Sequence, residues 1–163
     1  MLEIVRKNVA VLLRLITQIL DFQKYEHGKL ALRLSEFNAL ECIKDWTEAF
    51  HTLAFRKHIQ FEVKAEGDVA QYVMVADAEK IERITYNLLS NAFKYTPDEK
   101  SIFLSVTCEK QILCLQVKDE GRGINAQKLN RLFTRFDTLD EADPNMSTGI
   151  GLSLVKELLN LLH

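Results

Sequence analysis

Hydrophobic positions along the chain change period several times, and each change marks an element. In residues 3–26, Val5, Val9, Leu12, Ile16 and Ile19 recur at spacings of four and three, with Leu13 and Leu20 widening the stripe. That period predicts one helix with a seam of the coiled-coil or bundle type. A lone helix must bury such a stripe, either on its own domain or against a second helix in a dimer. Gly28, after His27, suits the C′ position that ends it. Leu30, Leu32 and Leu34 then alternate with polar neighbours, which predicts a short strand. Asn38 is placed to cap a following helix, with Glu41 three residues on in capping-box position, and Trp46, Ala49, Phe50 and Leu53 supply its apolar face.

Alternation returns at Ile59, Phe61 and Val63 and again over Tyr72 to Ala76, predicting two more strands. Asp77 caps a long helix over 78–95, with Ile81, Ile84, Leu88 and Leu89 at helical spacing. Strands over 101–107 and 112–118 are separated by a short turn near Glu109-Lys110 and read as an antiparallel hairpin. A glycine-bearing loop covers 119–124 and a short helix 126–133. Residues 137–148, with Pro144 and Asn145, read as a loop. A last helix covers 150–162, directly after Gly149. This order predicts an α+β domain with helices layered on one face of a mixed, mostly antiparallel sheet.

Bulk composition narrows the class without naming a chemistry. The 163 residues are 47% hydrophobic and 27% charged, so a core can form. The 21 basic and 23 acidic side chains leave a net charge of −2, which gives no footprint for nucleic acid and no acidic tail. Cys42, Cys108 and Cys114 form no CxxC pair and read as small hydrophobes. No run approaches the ~18 consecutive apolar residues of a membrane span, and no signal peptide opens the chain.

Three stretches carry candidate chemistry. In Asn87-Leu88-Leu89-Ser90-Asn91-Ala92-Phe93-Lys94-Tyr95, the two asparagines share a helical face, and Lys94 and Tyr95 follow one turn on. An amide oxygen can ligate Mg²⁺, an ammonium can neutralise phosphate, and a tyrosine ring can stack on a base. A solvated face is the plainer reading of this stretch alone. In Asp119-Glu120-Gly121-Arg122-Gly123-Ile124, glycines allow a sharp turn and close approach of a ligand. The carboxylate at the strand end can accept from the amino group of adenine and would repel the carbonyl of guanine; an ordinary turn is the alternative. In Ser147-Thr148-Gly149-Ile150-Gly151-Leu152, small residues at a helix start leave N–H groups free for phosphate oxygens. No Gly-Lys-Ser/Thr follows, so it is not a Walker A loop, and no strand leads into it as a dinucleotide fingerprint requires.

The succession of these stretches is more specific than any one of them. With Leu132-Phe133-x-Arg135-Phe136 between the second and third, it resembles the histidine kinase ATPase domain of the GHKL superfamily. Asn87–Tyr95 is similar to its N box, Asp119–Ile124 to its G1 box, Leu132–Phe136 to its F box and Ser147–Leu152 to its G2 box. The resemblance covers about 38–163, and the wording is similar to hybrid sensor kinases of Bacteroides-type bacteria. The stretch from Leu13 to Leu32 resembles the second helix of the dimerisation domain and its exit strand. The resemblance therefore implies two parts: 1–28 as a partial dimerisation helix, and 29–163 as the catalytic domain, a two-layer α/β sandwich of the GHKL or Bergerat type.

The same resemblance implies ATP and Mg²⁺ as cofactors, with Asn91 as the Mg²⁺ ligand, Asn87 in support and Lys94 on the phosphates. It places Tyr95 beside the adenine, Asp119 on its amino group, and Gly121, Gly123 and Ile124 in the loop that approaches the nucleotide. Phe133 and Phe136 anchor the start of a lid over 137–148, with plain core packing as the alternative for both. Thr148, Gly149, Ile150, Gly151 and Leu152 shape the phosphate end. Relatives that hydrolyse ATP carry glutamate at position 87. Asn87 cannot act as a base, which fits phosphoryl transfer to a histidine rather than to water. The implied partners are a homodimer mate, through the dimerisation helices, and a downstream response-regulator receiver domain. Nucleic acid and membrane contact by this stretch are not implied. The implied location is cytoplasmic, within an inner-membrane-anchored parent.

Three departures from the family pattern stand out. None of His27, His51, His58 and His163 lies in an H-E/D-x-x-x-P setting, which places the phosphoacceptor ahead of residue 1 and predicts no autophosphorylation by this stretch alone. The family's sheet continues past the last helix, so further strands are expected after His163. Ser147 stands where the G2 box usually has its first glycine. A non-catalytic nucleotide-binding module and a dimerisation element are the competing readings. The intact set Asn91, Lys94, Asp119, Gly121 and Gly123 favours the enzyme.

Overall fold

A computed structural model describes residues 31–67, 69, 72–110, 112–134, 137 and 149–162. The expected helix over 3–26 with its Gly28 stop, the 1–28 unit, most of the 137–148 loop, Ser147, Thr148, Arg135 and Phe136 lie outside the described residues. The described elements run β1 (Ser35–Asn38), α1 (Ala39–Lys57), β2 (Gln60–Glu66), β3 (Val73–Ala76), α2 (Ala78–Tyr95), β4 (Ser101–Glu109), β5 (Ile112–Asp119), a 3-10 helix (Ala126–Arg131) and α3 (Gly151–Leu162).

Local signals set most of the helix ends. The Asn38 side chain accepts from Glu41 N at 3.0 Å and starts α1. The Asp77 carboxylate accepts from Lys80 N at 3.2 Å and starts α2. Each cap satisfies one of the donors that a helix start leaves without an internal partner. His58 closes α1 in the left-handed conformation at φ 54°, its N–H reaching the carbonyls of Ala54 and Phe55. This histidine is a backbone cap.

The described strands form two sheets. β4 is the centre of the larger one, parallel to β2 (Gln60↔Ser101 to Glu66↔Thr107) and antiparallel to β5 (Ile102↔Asp119 to Glu109↔Ile112). The parallel pair needs a crossover, which β3 and α2 supply. Ile102, Leu104 and Val106 point to one face and are fully buried against Leu40, Ile43 and Phe50 of α1 and Leu89, Ala92 and Phe93 of α2. The α1 row that reaches the core is Ile43, Thr47, Phe50 and Ala54, while Ala49 is exposed and Trp46 and Leu53 flank the row. The alternate residues of the ladder, among them Glu62, Lys64, Gln116 and Lys118, are exposed on the other face.

The smaller ladder pairs β1 with β3 antiparallel, from Ser35↔Ala76 to Asn38↔Val73. The strand expected at Leu30–Leu34 is displaced. It begins at Ser35, and Leu34 is 62% exposed. The cause lies on the partner. β3 ends at Ala76 because Asp77 is consumed as a helix cap, so nothing continues the ladder opposite Arg33. The Arg33 N–H donates instead to Asp77 Oδ2 at 2.9 Å. The helix expected over 126–133 is a shorter 3-10 turn with no buried residue. The apolar side chains Leu129 and Phe133 stay exposed, so no packing holds a longer α-helix.

α2 has two apolar sides. One faces the sheet. The other, Ile84 and Leu88, packs on Leu154, Val155, Leu158 and Leu162 of α3. The polar stripe of α2 lies beside this second contact, next to the start of α3.

Candidate functional site

Asn87 and Asn91 sit one turn apart on α2. Asn87 is nearly buried, and its Nδ2 donates to the Arg83 carbonyl at 2.8 Å. This bond turns Oδ1 toward the start of α3: a Cβ placed on Gly151 would lie 3.2 Å from it. The same Cβ would lie 4.0 Å from Asn91 Nδ2. The first and third motifs therefore meet at a contact where glycine lets a helix start approach two amides closely. Gly149 holds φ 64°, a left-handed turn that delivers the chain to this start. Ile150 is buried, and its carbonyl accepts from Leu154 N and Ser153 Oγ, both at 2.9 Å. Leu152 is half-buried beside it. The helix begins at Gly151, one residue later than expected.

The second motif meets the other end of the same stripe. Asp119 is the last residue of β5, and its Oδ1 accepts from Gly121 N at 2.9 Å. Gly121 is wedged against α2: a Cβ there would lie 2.5 Å from Asp119 Oδ1 and 2.9 Å from the Tyr95 carbonyl oxygen. Glu120 fastens the loop to the start of β4, donating from its N to Ser101 O at 3.1 Å and accepting from Ser101 N at 2.9 Å. Gly123 takes φ 70° with open space around it, and Ile124 is 47% exposed. Lys94 Nζ stands 4.8 Å from the centre of the Tyr95 ring and the Arg122 guanidinium 5.0 Å. Arg122 is a site residue that motif reading passed over, although its position between two glycines displays any side chain there.

From Asn87 to Tyr95, eight helical steps of α2 span about 12 Å. One edge of α2 thus carries amides next to a helix N-terminus at one end, and an aromatic ring, two cations and a carboxylate at the other. A helix N-terminus favours anions. Burial pulls the Arg83 guanidinium, one turn before Asn87, down from its ordinary value. At the F box, Phe133 is 46% exposed, so it is not core. Arg131 grips Asp137 through a two-pronged pair at 2.7 and 2.8 Å. Among the described residues, no group of three or more His, Cys, Asp or Glu side chains could hold a metal ion. His51 packs on the Phe61 ring at 4.9 Å and lines an open cavity of about 390 Å³ between α1 and β2, away from the motifs. No described helix is long and apolar enough to cross a membrane.

Comparison with known proteins agrees with this arrangement. Residues 76–163 match the family model described as histidine kinase-, DNA gyrase B-, and HSP90-like ATPase. Histidine kinase P4 of Formosa agariphila is 30% identical over 98% of this chain, which spans 12% of that protein. Sensor histidine kinase TmoS of Ectopseudomonas mendocina is 32% identical over 99% of the chain, which spans 16% of that protein. Among solved structures, the catalytic domain of histidine kinase ThkA superposes with TM-score 0.71 at 22% identity, covering 80% of this chain and 82% of that one. Full-length ShkA in complex with AMPPNP superposes with TM-score 0.81 at 22% identity, covering 94% of this chain and 31% of that one. The edge of α2 with its two glycine contacts, the mixed sheet behind it and the family match agree: this chain belongs to the histidine kinase-, DNA gyrase B- and HSP90-like ATPases, in their sensor histidine kinase branch.

Proposed function

We propose that the chain binds Mg²⁺-ATP along this edge of α2 and donates the γ-phosphoryl group to a histidine of a dimerisation domain. The observation that carries the reading is the double contact of α2: Gly151 against Asn87 and Asn91, and Gly121 between Tyr95 and Asp119. Base recognition and phosphate binding are then two ends of one helix.

The residues present fit the cofactor. Asn91 holds its Oδ1 more than 4 Å from the Gly151 position, while its Nδ2 faces α3. That amide oxygen serves as a hard ligand for Mg²⁺, with phosphate oxygens and water completing the shell. When bound, the ion relieves charge on the transferring phosphoryl group. Asn87 braces the α3 start, and Lys94, whose ammonium stands over the Tyr95 ring, reaches the phosphates by swinging its side chain off that ring. Tyr95 flanks the adenine, and Asp119 accepts from its amino group. Gly123 and Ile124 belong to the loop facing the base. Thr148 to Leu152 form the phosphate end, and Phe136 joins the lid. Asn87 supplies no base, so water is not activated and the acceptor is an imidazole. His51 packs on the Phe61 ring, and His58 caps α1 through its backbone N–H. Residues 1–28 as a dimerising helix, a receiver domain as the next partner, and a cytoplasmic position below an inner-membrane anchor complete the reading.

The test is calorimetric titration with Mg²⁺-ATP and Mg²⁺-GTP on the unsubstituted chain, D119N and E120Q. The asparagine side chain in D119N would keep the Gly121 bond through its Oδ1 but present an NH₂ group to the adenine amino group, donor against donor. We expect ATP affinity to fall by about 30-fold in D119N and less than about threefold in E120Q, and GTP to bind weakly throughout. Equal losses in the two variants, or GTP binding as well as ATP, would overturn the adenine assignment.

A further inference from the structure

Lys57 is the last residue of α1, and none of the three motifs contains it. Its ammonium donates to the carbonyl of Phe93 at 2.8 Å and to that of Thr96 at 3.1 Å, and it lies 3.7 Å from Asp98 Oδ1. Phe93 and Thr96 bracket the end of α2, where carbonyls lack internal partners and the helix dipole is negative. The Lys57 carbonyl also accepts from Glu99 N at 3.3 Å. Lys57 therefore ties residues 93–99 to α1 through side chain and main chain together, beside the packing of Phe93 on Phe50. Thr96 is 1% exposed, and its Oγ1 has no hydrogen-bond partner. Among the described residues, the Lys57 ammonium is thus the side-chain group that fixes Thr96 in polar terms.

Lys94 and Tyr95 lie between the two carbonyls that Lys57 grips. Tyr95 is the residue whose carbonyl abuts Gly121, and its ring sits under Lys94 and Arg122. A shift of the last turn of α2 would move that ring and the Gly121 contact together. Phe93 holds the inner side of this turn by packing on Phe50 and Phe61, both at 5.3 Å, and Lys57 is the polar clamp on the carbonyls at its end.

We propose that Lys57 is a positioning residue for the base end of the nucleotide site. It sets the distance between the Tyr95 ring and the Asp119–Gly121 turn by pinning the end of α2 from outside the site. This rests on the reading that adenine binds between Tyr95 and Asp119, and the experiment separates failure of the two.

The experiment measures Kd for Mg²⁺-ATP, ADP and AMP by calorimetry on the full chain, K57M, K57Q and K57R, at a temperature where the unfolding curves show all of them folded. K57M keeps the apolar stem and removes the donors; K57Q keeps one donor pair; K57R keeps charge and donors. We expect K57M to raise Kd by about tenfold for all three nucleotides alike, because they share the base, with K57Q intermediate and K57R within about threefold of the unsubstituted chain. A purely structural cap would lower the unfolding midpoint of K57M and leave its affinities unmoved. Unchanged affinities in K57M, a loss confined to ATP, or a K57R as poor as K57M overturns the positioning role. If K57M does not fold, K57Q gives the same reading at smaller amplitude, and its parity with the unsubstituted chain overturns the role. No binding of any of the three to the unsubstituted chain removes the adenine site itself, and the positioning role with it.

Discussion

Replacing Gly121 by alanine tests the contact on which the base end depends. The added Cβ would stand 2.5 Å from Asp119 Oδ1, 2.9 Å from the Tyr95 carbonyl oxygen and 3.2 Å from its carbon. A relaxed carbon-to-oxygen contact is about 3.3 Å, so the carboxylate must retreat by about 0.8 Å and the carbonyl by about 0.4 Å. The carboxylate can rotate, but rotation breaks its 2.9 Å bond from Gly121 N. The carbonyl belongs to the last turn of α2 and moves only with the helix. Overpacking of this kind costs about 1–3 kcal/mol, and Asp119 is exposed, which places the lost bond at the lower end of its range. We expect G121A to lose about 2 kcal/mol of stability and at least about tenfold in ATP affinity. Two other glycines serve as controls. Gly123 has open space around it at φ 70°, so G123A carries backbone strain of about 1–2 kcal/mol without displacing Asp119. Gly151 meets only side chains, at 3.2 Å and beyond, and alanine favours the helix, so G151A should change stability by less than about 1 kcal/mol. Urea unfolding and calorimetric titration of the three variants check the series. An affinity loss larger in G123A than in G121A would refute the reasoning.

Asp77 offers a stability test away from the glycines. It is 1% exposed, accepts from Lys80 N and Arg33 N, and lies 3.7 Å from the Lys80 ammonium, whose side chain is 8% exposed. D77A removes a cap and leaves the buried Lys80 ammonium only the exposed Glu79 carboxylate, 3.8 Å away, and should cost about 3 kcal/mol in urea unfolding; a loss under about 1 kcal/mol contradicts the pairing. Burial, followed by the nearby charges of Asp45, Glu41 and Glu82, pushes the Cys42 thiol above its ordinary value. Less of it is thiolate at mildly alkaline pH, so mass spectrometry should find alkylation of Cys42 slower than that of exposed Cys114 and still accelerating above about pH 9. A Cys42 rate that levels off below that range contradicts the shift.

What the sequence alone determined is local. Asn38 and Asp77 cap their helices because a cap links residues three apart, whatever the rest of the chain does. The span of α2 and its polar row of Asn87, Asn91, Lys94 and Tyr95 follow from the helical period, and the β4–β5 hairpin from two alternating runs beside a short turn. The ordered boxes identify the family because they are linear.

Only the tertiary structure decided which residues meet. Where β1 begins depends on β3 running out at Asp77, a condition 44 residues from Arg33. The parallel partnership of β2 with β4 depends on a crossover, and alternation within either strand does not encode it. Gly151 against Asn87, Gly121 against Tyr95, Arg122 over the Tyr95 ring and Lys57 on the end of α2 are contacts between distant segments. Their distances come from how α1, α2 and α3 pack beside the sheet. Periodicity and capping act over one helical turn, whereas these contacts are fixed by the close packing of whole elements, which no short stretch of sequence contains.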